Sequence, residues 1–185
     1  MNSAKLQRLA KFFTILFLML TASECTERRG MTHFMLHYTL PARIERTTPV
    51  DTPVHVFTPP VHTETAKACE NHNTHRDLIQ SVVLKKLTLE ILRPDDADFS
   101  VFRDLKIYIL ADGVDHETLI GRLSGSISAE SKEADLEIIP CDVREYLQSE
   151  VFMLRLRIVL NGVLPADYDV AVHTAFDVTA KTAGI

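Results

Sequence analysis

Cys69, His72 and His75 stand at C-x-x-H and H-x-x-H spacings. Side chains so spaced can converge on a tetrahedral zinc ion when a further ligand comes from elsewhere in the fold. They belong to a histidine-rich stretch, since six of the eight histidines lie between His33 and His75. His33 and His37 are four apart, which on a strand places both on one face but about 13 Å apart along the axis. That is too far to share an ion without a third element between them. No second paired motif accompanies the Cys-His triplet, so solvated loop histidines are the plainer reading and no cofactor is expected. Asp95, Asp96 and Asp98 form an acidic loop whose oxygens could take a calcium ion, but it lacks the glycine and distal glutamate of an EF-hand. A cap for the turn that follows is the simpler use of Asp96 or Asp98.

Nothing in the chain announces catalysis. There is no G-x-S-x-G elbow, no Walker loop and no G-x-G-x-x-G. No pair of carboxylates stands out on a strand face, and Asp112 before Gly113 is ordinary turn chemistry. The expectation is therefore a protein without enzymatic activity. The formal net charge of -5 is mild, and lysines and arginines do not gather into a basic stripe, so nucleic acid is not an expected partner.

The N-terminal residues speak of export. Lys5, Arg8 and Lys11 precede the apolar run Phe12–Ala22, which has the length of a secretory h-region and falls short of a membrane-spanning helix. Cys25 follows closely, where a bacterial lipoprotein carries its lipidated cysteine, although Glu24 replaces the small residue expected before it. Residues 1–24 read as a signal peptide and 25–30 as a tether. The remaining cysteines, Cys69 and Cys141, could form a disulfide in an oxidising compartment or remain free thiols.

From residue 31 to 181 the chain reads as one all-β domain, an antiparallel, immunoglobulin-like β-sandwich of about seven to eight strands with one or two short helical turns. Its clearest elements are the last two. Phe152, Leu154, Leu156, Ile158 and Leu160 share one face of a strand, with Arg155 and Arg157 on the other, and alternation resumes from Tyr168 to Val178. Asn161-Gly162 between them predicts an antiparallel hairpin. Earlier strands are expected over Thr32–Leu40, ended by Pro41; an edge strand at Val54–Phe57; Ser81–Leu92, with a bulge near Val82–Leu84; Leu105–Ala111; Glu117–Leu123; and Leu136–Ile139. The segments His62–Asn73 and Gly125–Ala134 read as loops. Asp95–Asp104 reads as a loop with one helical turn whose phenylalanines plug the core, and Asp142 as the cap of a short helix over Val143–Gln148, with Glu145 in capping-box spacing.

The run from Asn73 to Pro94, with Phe99-Ser100, Phe102 and Ile107–Gly113, resembles a group of uncharacterised exported bacterial β-sandwich proteins, many with lipoprotein-like N-termini. The resemblance implies a cell-envelope β-sandwich and carries no activity onto any residue. The expected role is binding or structural, with another envelope protein as partner and a membrane reached through an N-terminal lipid. The alternative expectation is a metal-binding or metal-dependent protein using the histidine-rich region 33–75.

Overall fold

The computed structural model describes residues 30–123 and 131–183; the signal-peptide and lipidation expectations at residues 1–25 lie outside them. The described residues form two antiparallel sheets packed face to face. One has four strands in the order β1-β10-β4-β7, made of β1 (Met31–Ile44), β10 (Tyr168–Lys181), β4 (Ile79–Arg93) and β7 (Glu133–Asp135). The other runs β2-β9-β5-β6-β8, made of β2 (Val54–Phe57), β9 (Val151–Leu160), β5 (Phe102–Ala111), β6 (Thr118–Arg122) and β8 (Glu137–Ile138), and β3 (Val61–His62) also pairs with β9. This is the expected β-sandwich.

Strand phase follows side-chain chemistry closely. Phe152, Leu154, Leu156, Ile158 and Leu160 are each fully buried, and so are Leu105, Ile107 and Ile109 beside them on β5. From the facing sheet come Leu40, Ile44, Leu87, Leu89, Val170, Val172, Phe176 and Val178. Phe99 and Phe102 close one end of this core, 5.6 Å apart between ring centres, with Phe102 leaning on Tyr168.

The expected hairpin does not form. β9 and β10 are consecutive in the chain but are interior strands of different sheets. Their inner faces meet across the core, where Phe152 packs edge-on against Phe176, centroids 6.4 Å apart. Neither Asn161 nor Gly162 takes the positive φ that a type I′ turn needs. Asn161 instead ties the connection down, its backbone N–H donating to the Val101 carbonyl and its side-chain amide to that of Ser100. Each strand carries a full apolar face, and placing those faces opposite one another buries both.

Pro41 does not end β1. It pairs with Ala171 and the strand continues to Ile44, because β1 is an edge strand and a missing N–H on its open side costs no ladder bond. Against β10, β4 shifts register at three places, skipping Gln80, Lys85 and Leu92; the shift nearest the expected bulge lies one residue beyond it, at Lys85. His62–Asn73 is not a plain loop: β3 is followed by the helix α1 (Thr65–Asn71). This polar stretch is fastened by threonines. The Thr58 hydroxyl accepts from the Leu154 N–H, that of Thr63 donates to the Ser149 carbonyl, and that of Thr74 donates to the Lys181 carbonyl. Ala134 belongs to β7 rather than to the preceding loop, of which 124–130 lie outside the described residues. Asp142 accepts from the N–H of Arg144 at the start of the helix α2 (Arg144–Gln148), and also from that of Val82, which joins the helix to β4. Glu145 does not complete a capping box; it contacts His116.

Two measurements check this packing. Phe152→Ala should lower unfolding free energy in urea by about 3–5 kcal/mol, and Phe152→Asp should abolish the cooperative melt. Tyr38, edge-on to Phe152 and donating its hydroxyl proton to the Thr63 carbonyl, has its phenol pushed up to about 12 by burial. Its folded pKa exceeds the unfolded value near 10, so its contribution is fully present below pH 10 and is lost as pH rises from there towards 12. Urea titrations should show stability falling over that range more steeply for wild type than for Tyr38→Phe.

Candidate functional site

The sequence-predicted ligands are separated by the fold. α1 turns Cys69 into the core, 1% exposed, whereas His72 and His75 are solvent-facing. The His72 ring is stacked on Phe34 at 4.7 Å and 9° between planes, and His75 sits on extended backbone before a 3₁₀ turn, Arg76–Leu78. Among the described residues no three of His, Cys, Asp and Glu come together in a way that could hold a metal ion. In the acidic loop, Asp98 accepts from the Ser100 N–H at 2.7 Å and caps the turn Phe99–Val101. The hydrogen bonding from Ser100 holds its carboxyl below the usual range. Asp95 reaches Lys132, and Asp96 faces solvent.

Cys69 and Cys141 are both free thiols. Burial raises both above the ordinary thiol value, and Asp142 adds to the effect at Cys141. Cys141 is half-buried beside the Leu119 carbonyl. Neither lies in the electropositive, open setting of a reactive thiolate.

The outer face of the β9 sheet carries a cluster that single-strand periodicity does not reveal. Arg155 points away from the core yet is only 8% exposed. Its guanidinium pairs with both carboxylate oxygens of Glu117, Nε lying 2.6 Å from one of them, and it also contacts His55 Nδ1. The Tyr108 ring lies beneath it, 4.1 Å from Cζ. Arg157 pairs with Asp104 at 2.6 Å, and Arg122 with Glu137 through two bonds of 2.9 Å. These are cross-strand rungs: cation, carboxylate and aromatic ring satisfy one another. The alternation of Arg155 and Arg157 was visible in the sequence, but Glu117 lies 38 positions from Arg155 and only strand pairing unites them.

The surface offers one feature of the opposite kind. Phe57 is 52% and Leu92 45% exposed. With Pro41, Ala42, Pro59 and Val170 they line an open depression of about 500 Å³. Arg43 stands at its rim, paired with Asp167 at 2.6 Å and with Asp169 at 3.4 Å. Exposed large apolar side chains gathered in this way, edged by charge, are the surface character of a contact site.

Comparison with known proteins adds little to this geometry. No family model and no curated protein matches the chain. Among solved structures, a chain from Desmodium yellow mottle tymovirus is similar over 82% of this chain and 91% of that one, at 8% identity and a TM-score of 0.27. That likeness carries no argument.

The free thiols and the Arg155 cluster each carry expected outcomes. A thiol reagent at neutral pH should leave Cys69 unmodified until the protein unfolds and label Cys141 slowly, and reductant should not shift the melting temperature. Arg155→Ala should cost about 1.5–3 kcal/mol, since a charge-assisted bidentate pair is broken. Double-mutant cycles should return a larger coupling for Arg155–Glu117 than for the more exposed Arg122–Glu137.

Proposed function

We propose that this chain is an exported cell-envelope protein, held at a membrane by a lipid on Cys25, whose β-sandwich binds another envelope protein and performs no catalysis. The observation that carries the binding role is the open apolar depression around Phe57 and Leu92. The basic n-region, the apolar run Phe12–Ala22 and the cysteine that follows support export and anchoring. The resemblance of residues 73–113 to exported bacterial sandwiches supports the same compartment.

The course of β1 relates the two ends of this reading. β1 begins at Met31, six residues after Cys25, and reaches the depression at Pro41 to Arg43. At about 3.4 Å per residue the strand carries the depression some 40 Å from the tethered end. A sandwich anchored through Cys25 then presents Phe57 and Leu92 away from the bilayer, within reach of a partner. Metal use by the region 33–75 gains no support from the placement of Cys69, His72 and His75.

Intact mass spectrometry of the protein made in a bacterial host tests the anchor: a product beginning at Cys25 with acyl mass is expected, and a product retaining Met1–Ala22 overturns export. A photo-activatable residue at position 57 tests the contact in the same cells. A discrete protein adduct at 57 that is missing when the photo-residue replaces Lys106, on the β9 sheet's outer face, is the expected result. Equal adducts at both positions, or none at either, remove the depression from the reading.

A further inference from the structure

We infer that β1 pairs edge to edge with β1 of a second copy of this chain, antiparallel, in the register that sets Met35 against Met35. Sheet edges are normally blunted by charge, proline or brevity, because their unpaired N–H and C=O groups template other strands. The other edges described here follow that practice. β7 is three residues long with two carboxylates, β8 is two residues beginning with Glu137, and β2 is four residues between Pro53 and Pro59-Pro60. β1 does not. It is 14 residues long and lies at the edge of its sheet. From Met31 to Ala42 it contains no Asp, Glu, Lys or Arg, in a chain in which 24% of residues are charged.

The open side is unclaimed. Among the described residues, no hydrogen bond reaches the backbone groups of Met31 to Leu40 from any strand but β10. The neighbouring segment approaches β1 through the inward side chains, His72 on Phe34 and Thr63 on Tyr38, which leaves the outward positions His33, Met35, His37 and Thr39 exposed.

Pro41 sets the parity. Its place in the ladder requires its missing N–H to face the open edge, so the odd residues present their N–H and C=O groups there. The proline-free stretch carrying those groups runs from Met31 to Thr39 and is centred on Met35. A two-fold axis through Met35 pairs Met31 with Thr39 and His33 with His37 of the second copy, using every available donor for about ten interchain hydrogen bonds. A second copy fits this edge because its strand is equally free of charge, so no like charges are opposed and none is desolvated without a partner. Met35, 44% exposed in the single chain, gains an apolar contact on the axis. The inference does not depend on the anchor or on the depression, which lies at the other end of β1.

Cysteine scanning in the full chain tests both pairing and register. In the inferred register the two Cα atoms at position 35 lie about 5.5 Å apart, within disulfide reach, while the two at position 33 are separated by four residues along the strands. Met35→Cys should give a reducible dimer linked 35 to 35 by peptide mass spectrometry, and His33→Cys and the exposed control Val163→Cys should not. Met35→Lys, placing two charges on the axis, should weaken self-association by at least about tenfold in sedimentation equilibrium. A chain that sediments as a monomer at millimolar concentration, or linkage at 33 or 163 equal to that at 35, overturns the inference.

Discussion

Phe152 against Phe176 is a contact between an interior strand of one sheet and an interior strand of the other. Around it Tyr38 packs edge-on to both rings, so three strands meet in one aromatic cluster. The rest of the sandwich depends on this apposition. β9 and β10 each bury a continuous apolar face, and a sheet about 10 Å from its neighbour excludes water only when those faces oppose one another. The seven residues from Asn161 to Asp167 exist to carry the chain from one sheet to the other.

Once these strands are set, polar segments acquire fixed places. Thr58 and Thr63 bond to the β9 end of the sandwich and Thr74 to the end of β10, so the stretch between β2 and β4 is held by hydroxyls rather than by a core of its own. Gly121 shows how close the approach is on the far side: a Cβ there would lie 2.2 Å from Leu87 Cδ2 and 3.2 Å from the Glu137 carbonyl oxygen. A side chain at that position would require the Leu87 side chain of the facing sheet to move.

The two outer surfaces and the edge solve different problems. Arg157 and Arg122 are each matched to a carboxylate on the adjacent strand, and Arg155 reaches across β5 to Glu117 just before β6, which turns the outer face of the β9 sheet into a set of internally neutralised pairs. The depression around Phe57 and Leu92 and the uncharged edge of β1 are left without such matching. Surfaces that satisfy themselves solvate well; surfaces that do not are where association is favoured.

Most of the strand inventory was legible in the residues, because period-two alternation of apolar side chains is a local consequence of the pleat. The inward phase of β9, the phenylalanine plug and the Asp98 cap all rest on neighbours in the chain. What sequence alone could not decide was pairing. The hairpin expected at Asn161-Gly162 failed because two strong apolar faces gain more from opposing one another across the core than from lying side by side. β1 passed through Pro41 because an edge strand tolerates a missing donor, and edge position is a property of the sheet. Cys69 and His72 diverge because the helix ends at Asn71: Cys69 within it faces the core, whereas His72 leaves the helical path at the C-cap and lies on Phe34. The sequence by itself determined which residues are strands and which face of each is apolar. Only the tertiary structure decided which strands are neighbours, and so where charge is matched, where apolar surface stays open and which edge is free, since these follow from contacts between residues far apart in the chain.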